Sequence, residues 1–218
     1  GYVYCSSKDW QEVYDGVHLP EQPDRHSGLI SLRLESVNNV PVMDSGVWLE
    51  LPADEQAMRL ALASLGESTF DTCVIAEAES ILPSLKYQLA GDEDIGRLNT
   101  LAGKIQAFPD RRTLVKYKAV LELEVCNDLD MQLDIAENLD CYDYDPIILS
   151  PEAYAEYVLK EADFDVNDPA FSRFDFKGYG ERYLQGNGFV ATPYGSIARN
   201  EKPFVPEYTR PTPGMTMQ

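Results

Sequence analysis

An α+β fold, arranged as an elongated chain of two to three small modules, is what this 218-residue sequence predicts. Two observations carry that expectation. Short stretches near Leu29–Glu35 and Val47–Leu51 alternate apolar and polar residues with the period of half-buried strands. Apolar residues at helical spacing then recur in 54–65 and 95–105, where glycine and proline stop them. An antiparallel sheet with a helix is expected N-terminally, followed by a helical middle and an α+β C-terminal part.

Residues 1–28 are rich in turn formers (Pro20, Pro23, Gly28) and read as an irregular arm. An α+β module is expected over 29–90. It holds the strands at Leu29–Glu35 and Val47–Leu51, a helix from Asp54 to Leu65 with a glycine stop at Gly66, and a strand over Thr72–Ala78. A helical module follows over 91–126. Asp92, Glu93 and Asp94 suit the positive end of a helix dipole, Ile95, Leu98, Leu101, Ala102 and Ile105 form its apolar stripe, and Pro109 ends it. A second helix is expected from Arg112 to about Val125, although Leu121–Val125 also alternates like a strand. An acidic α+β module occupies 127–202, with a short helix marked by Leu129, Leu133, Ala136 and Leu139. Ser150-Pro151-Glu152 is a strong helix start, with an N-cap hydroxyl, proline at the first position and an acid next. A helix near Phe176–Leu184 and a strand-turn-strand over Gly188–Ile197 complete it. Residues 203–218, with four prolines, read as an extended tail.

Charge is the most informative property. Eighteen Lys and Arg stand against thirty-seven Asp and Glu, for a formal net charge of −19. Direct partners such as DNA, RNA or an anionic membrane would be repelled. The charge is also blocked: residues 44–94 carry −9, residues 95–118 carry +5, and residues 119–168 carry −14. That last block interleaves its acids with enough Leu, Ile, Val and Tyr to fold, so the acids are expected to face outward. Lys116 and Lys118 beside Tyr117 read as a solvated helix face. A folded surface crowded with one sign of charge opposes its own stability, so something other than stability favours it.

Catalytic and metal signatures are weak. The four cysteines (Cys5, Cys73, Cys126, Cys141) form no C-x-x-C pair and, with two histidines, read as buried thiols of a cytoplasmic protein. The first residues do not read as a signal peptide, and no run is long enough for a membrane helix. Both histidines, His18 and His26, lie in the arm, away from any serine or cysteine nucleophile in a folded module. Gly186-Asn-Gly188-Phe-Val-Ala191 has dinucleotide-loop spacing but reads as a tight turn, since it does not open a helix after a strand. Asp163-Phe-Asp165-Val-Asn167 begins like a calcium loop but has Asp168 where glycine belongs and Phe174 where the bidentate glutamate belongs. No cofactor and no catalytic residue is expected.

Duplex DNA carries one charge per ~1.7 Å of axis, so a protein displaying carboxylates at comparable density could enter the basic cleft of a DNA-binding enzyme. The acids expected to stand in for phosphates are Asp128, Asp130, Asp134, Glu137, Asp140, Asp143, Asp145, Glu152, Glu156 and Glu161. A second cluster of Glu50, Asp54, Glu55, Glu67, Glu77 and Glu79 would extend that face.

Trp48-Leu-Glu-Leu-Pro52, the helix ending Leu65-Gly66, Glu77-Ala-Glu79, Leu98-Asn-Thr-Leu-Ala102, Tyr179-Gly180 and Gly195-Ser-Ile197, in that order, resemble the ArdA family of antirestriction proteins. The resemblance runs from about Gly46 to Asn200, and by position Asp128 to Asp145 resembles the family's acidic antirestriction motif. It implies a curved homodimer of three small domains that mimics bent B-form DNA. It also implies inhibition of type I restriction–modification enzymes and carriage on a mobile genetic element. Three alternatives stand beside it: an acidic inhibitor of another nucleic-acid-binding defence, such as a CRISPR effector; a metal-dependent acidic enzyme using pairs such as Asp143 and Asp145; and an acidic adaptor for a basic host protein without DNA mimicry.

Overall fold

The computed structural model describes residues 28–38, 46–82, 94–126 and 128–209. Residues 1–27 of the expected arm, residues 39–45, Asp92, Glu93 and the part of the expected tail beyond 209 lie outside the described residues. Helices and antiparallel sheets together make an α+β fold, with the sheet first and helices after it. The described residues divide into two units: 28–38, 46–82, 94–109 and 128–136 in the first, 110–126 and 137–209 in the second. The helical middle is thus shared between them. Among the described residues no helix is long and apolar enough to cross a membrane.

In the first unit, β1 (Ile30–Ser36) is the central strand, flanked antiparallel by β2 (Val47–Leu51) and β3 (Cys73–Ser80). Period-two alternation puts Ile30, Leu32 and Leu34 on one face, all fully buried. Helix α1 (Glu55–Leu65) packs against β2. Its N-cap is Asp54, whose carboxylate accepts from the Ala57 N–H at 2.8 Å. It ends on Gly66 in the left-handed conformation, with the Glu67 N–H returning to the Leu62 carbonyl at 2.9 Å. Helix α2 (Ile95–Gln106) buries the predicted stripe and is capped by Asp94. Asn99 clamps it to the chain ahead of α1, accepting from Ala53 N–H at 2.7 Å and donating to its carbonyl at 3.1 Å. Helix α4 (Leu129–Glu137) is tied to α2 by the Arg97–Asp130 ion pair.

The second unit is built on α3 (Arg111–Leu123), which buries Leu114, Val115 and the continuous run Tyr117–Leu121. The strand-like alternation at 121–125 is overridden: the helix runs to Leu123 and Val125 takes a positive φ of 47°. Lys116 and Lys118, expected on a solvated face, turn inward instead. The Lys116 ammonium donates to the Tyr142 carbonyl at 2.6 Å, and Lys118 is 6% exposed with its ammonium 5.7 Å from the Tyr194 ring centre. A helix enclosed on nearly every side has no polar face to give them, so each head finds a carbonyl or a ring.

Packed on α3 is a three-stranded antiparallel sheet of β4 (Tyr142–Asp145), β6 (Gly195–Arg199) and β5 (Val190–Thr192), in the order β4-β6-β5. Strand β4 was not anticipated. Helices α5 (Pro151–Glu161) and α6 (Phe176–Gly186) lie against each other, α5 starting on Ser150 as its N-cap and α6 ending in a turn closed by Gly188 at φ 74°. That turn accounts for the glycine pair at 186–188. The suspected calcium loop is a series of caps: the Asp165 carboxylate accepts from Asn167 N–H, and the Asp168 carboxylate from Ala170 N–H. Residues 203–205, expected as extended tail, are held down. Asn138 donates to the Val205 carbonyl and accepts from its N–H, and the Cys141 thiol meets the Pro203 carbonyl.

Glu124 links α3 to the sheet. Both its oxygens accept from Arg199, at 2.7 and 2.5 Å, and it accepts from the Tyr142 hydroxyl at 3.0 Å. The Arg199 guanidinium, helped by that hydroxyl, holds the Glu124 carboxyl below the ordinary glutamate range. A depressed folded-state pKa means stability present above the unfolded value of about 4.3 and lost as pH falls below it. Glu124→Gln is expected to cost about 1 kcal/mol at pH 7, limited by the exposure of Arg199. It should also flatten the loss of stability below pH 4, read by urea denaturation at a series of pH values.

Candidate functional site

In the first unit the outer sheet face is acidic by register. Ser31 pairs with Glu50 on one side and Glu79 on the other, and Arg33 pairs with Glu77. Arg33 sits between two acids, meeting Glu77 at 2.9 Å and its own strand's Glu35 at 2.6 Å. Several predicted acids here already have structural work. Asp54 caps α1, and the exposed Glu55 pairs with Arg59 one turn later. Glu67 accepts from the Ser36, Thr72 and Asn38 side chains, which hold its carboxyl below the usual range. Glu79 is half-buried, with one oxygen enclosed. Asp128 is exposed, but its oxygens accept from the Asp130 and Met131 N–H groups at the start of α4.

Asp134 corrects the sequence reading. It is fully buried, together with Gln132, Leu133 and Ile135, and is engaged within the protein. A carboxylate with no surface cannot be presented to a partner, because α4 buries more than the single apolar stripe its pattern implied. Asp134→Ala is therefore expected to destabilise the protein by about 3 kcal/mol, stranding whatever holds the carboxylate. A thermal melt within 2 °C of wild type would contradict that.

The second unit presents its acids differently. Glu137, Asp140, Asp143, Glu152, Glu156 and Glu161 are all exposed. Asp143 and Asp145 alternate along β4 and share a face, about 6.7 Å apart along the strand. Glu152 and Glu156 are one helical turn apart on α5, about 6 Å of rise. Each spacing is close to two phosphate steps of ~3.4 Å along one strand of duplex. Partial neutralisation comes from Lys202 at 3.2 Å from Asp140 and Lys160 at 3.1 Å from Glu156. Asn200 donates to Asp143 at 3.1 Å and adds no charge. Exposed Glu122, Asp163, Asp165 and Asp168 extend the surface. They belong to the same −14 block, but the last three stand in the sequence as an incomplete calcium loop, which hides them among the surface acids.

Two cations of this unit, Lys116 and Lys118, are directed inward, while most of its carboxylates, Glu124 and Asp145 apart, are exposed. The surface is consequently more one-sided than the composition of α3 implies. Among the described residues no three His, Cys, Asp or Glu side chains come together as a metal site. Cys73, Cys126 and Cys141 are buried, and burial pushes the Cys73 and Cys141 thiols upward, away from nucleophilic use. The arrangement can offer fixed negative charge and hydrogen-bond acceptors to a basic surface. Searches against protein-family models and among curated proteins find no match for the chain.

Proposed function

We propose that the protein is an antirestriction DNA mimic of the ArdA kind, a homodimer carried on a mobile genetic element. It acts in the cytoplasm by occupying the DNA-binding cleft of a type I restriction–modification enzyme. The observation that carries this reading is the folded second unit, where Glu137, Asp140, Asp143, Glu152, Glu156 and Glu161 are exposed while the heads of Lys116 and Lys118 turn inward to the Tyr142 carbonyl and the Tyr194 ring. Such a surface engages the Lys and Arg that DNA would engage, and offers neither a scissile bond nor a base edge.

The test is displacement. The protein is titrated against a type I restriction–methylation complex bound to labelled duplex, at about 50 and 200 mM salt. Displacement whose affinity falls 10³-fold or more between the two concentrations is expected if six or more carboxylates are read as phosphates. Displacement insensitive to salt would remove the electrostatic basis. No displacement by folded protein would end the type I assignment, and the same titration against a CRISPR effector would then test the neighbouring class of target.

A further inference from the structure

A cavity of about 240 Å³ opens in the second unit, walled by Tyr154 and Tyr157 of α5, Asp145 of β4, Asn187 and Ser196, over a floor of Ile148 and Leu184. This volume is below the range of small-molecule pockets and suits one long side chain. Among the described residues that line it, none is Lys or Arg. The two tyrosine rings lie within 15° of parallel, 6.5 Å between centres, and Tyr157 is half exposed. Each polar group can accept a hydrogen bond, and the hydroxyls can donate as well. Asp145 is a half-buried carboxylate. Asn187 turns its N–H toward the Tyr154 hydroxyl at 3.3 Å, which leaves its carbonyl to accept. The Ser196 hydroxyl is fully buried and meets no hydrogen-bond partner among the described residues. Glu161 stands one turn beyond Tyr157 on the same helix, exposed.

We infer that this cavity receives an arginine side chain of the basic partner. The identity of that partner rests on the proposed function; the chemistry of the cavity does not. A guanidinium is flat, stacks on aromatic faces and carries five donors for a wall of acceptors, whereas an ammonium is compact and strongly hydrated. Buried arginines with aromatic neighbours commonly dominate protein interfaces, so one such contact would set the register of an otherwise diffuse electrostatic complex.

The test uses Nα-acetyl-arginine amide as the probe, titrated into the whole protein and followed by NMR of the tyrosine rings, with the lysine and citrulline analogues alongside. Saturable shifts of Tyr154 and Tyr157 are expected with arginine, at least tenfold weaker with lysine and with uncharged citrulline. They should be abolished in Tyr157→Ala and weakened in Asp145→Asn. No saturable shift, or equal binding of any analogue, overturns the inference. Tyr157 is half exposed and Asp145→Asn keeps its shape, so the second variant decides if the first is unfolded by circular dichroism. In the displacement assay Tyr157→Ala should lose about tenfold. A wild-type protein that binds the probe yet displaces nothing would sink the proposed function and leave the cavity assignment standing. One that displaces DNA without binding the probe would do the reverse.

Discussion

Replacing Gly180 by alanine is expected to destabilise the second unit by about 3 kcal/mol or more. A Cβ at Gly180 would lie 1.8 Å from the Pro151 carbonyl oxygen and 2.5 Å from its carbon. Both atoms are backbone at the first turn of α5, so no rotamer can relieve the overlap. The two helices would have to part by more than an ångström, opening the contact that covers Ala155, Leu159 and Leu184, each at most 6% exposed. Overpacking against movable side chains costs about 1–3 kcal/mol, and a rigid backbone puts this case at about 3 kcal/mol or more. In a domain holding only 5–15 kcal/mol in total, that is a large fraction. The urea midpoint should fall sharply with little change in slope. A midpoint equal to wild type would mean that α5 and α6 are not in this close approach in solution. Since α5 carries Glu152, Glu156, Tyr154 and Tyr157, inhibition should fall with the fold.

What could be read from the chain beforehand was local. The Ser150 cap of α5 and the Gly66 stop of α1 depend on neighbours a few residues away, and both were legible; the capping by Asp54 and Asp94 was not singled out, although each stood at an expected helix start. Strand β4 was not, although Tyr142-Asp-Tyr-Asp145 alternates. Four residues make a strand here because Tyr142 finds Arg199 and Asp145 finds Ser196, pairings more than fifty residues distant. Lys118 was misplaced for the same reason: its burial depends on Tyr194, which helical periodicity cannot see. The acidic block was plain from composition, but its division of labour was not. Glu67 is occupied by Ser36, Thr72 and Asn38, Asp134 is enclosed, Asp145 is half-buried, and Glu137, Asp140, Asp143, Glu152, Glu156 and Glu161 are left to the surface. Charge patterning tells that acids must go outward on average; only tertiary contacts decide which ones are kept for the fold.

That division sharpens the decisive functional prediction. Glu137, Asp140, Asp143, Glu152, Glu156 and Glu161 should be changed together to Gln or Asn, sparing Asp134 and Glu67. Each is exposed, and the amides keep size and hydrogen bonding, so the fold should survive. It should even gain, because Glu152 and Glu156 repel across one turn and the whole surface is self-repelling. Inhibition should behave oppositely. If each carboxylate is read as a phosphate, removing six should weaken displacement on the order of a thousandfold at physiological salt and lower the salt slope by about five. Any single change among the six should cost only a few fold, since the contacts act as a field rather than a lock. A melting temperature that rises while inhibition disappears is a combination that unfolding cannot produce. Full inhibition by the folded sixfold variant would instead mean that the acids of the second unit are not what the target reads.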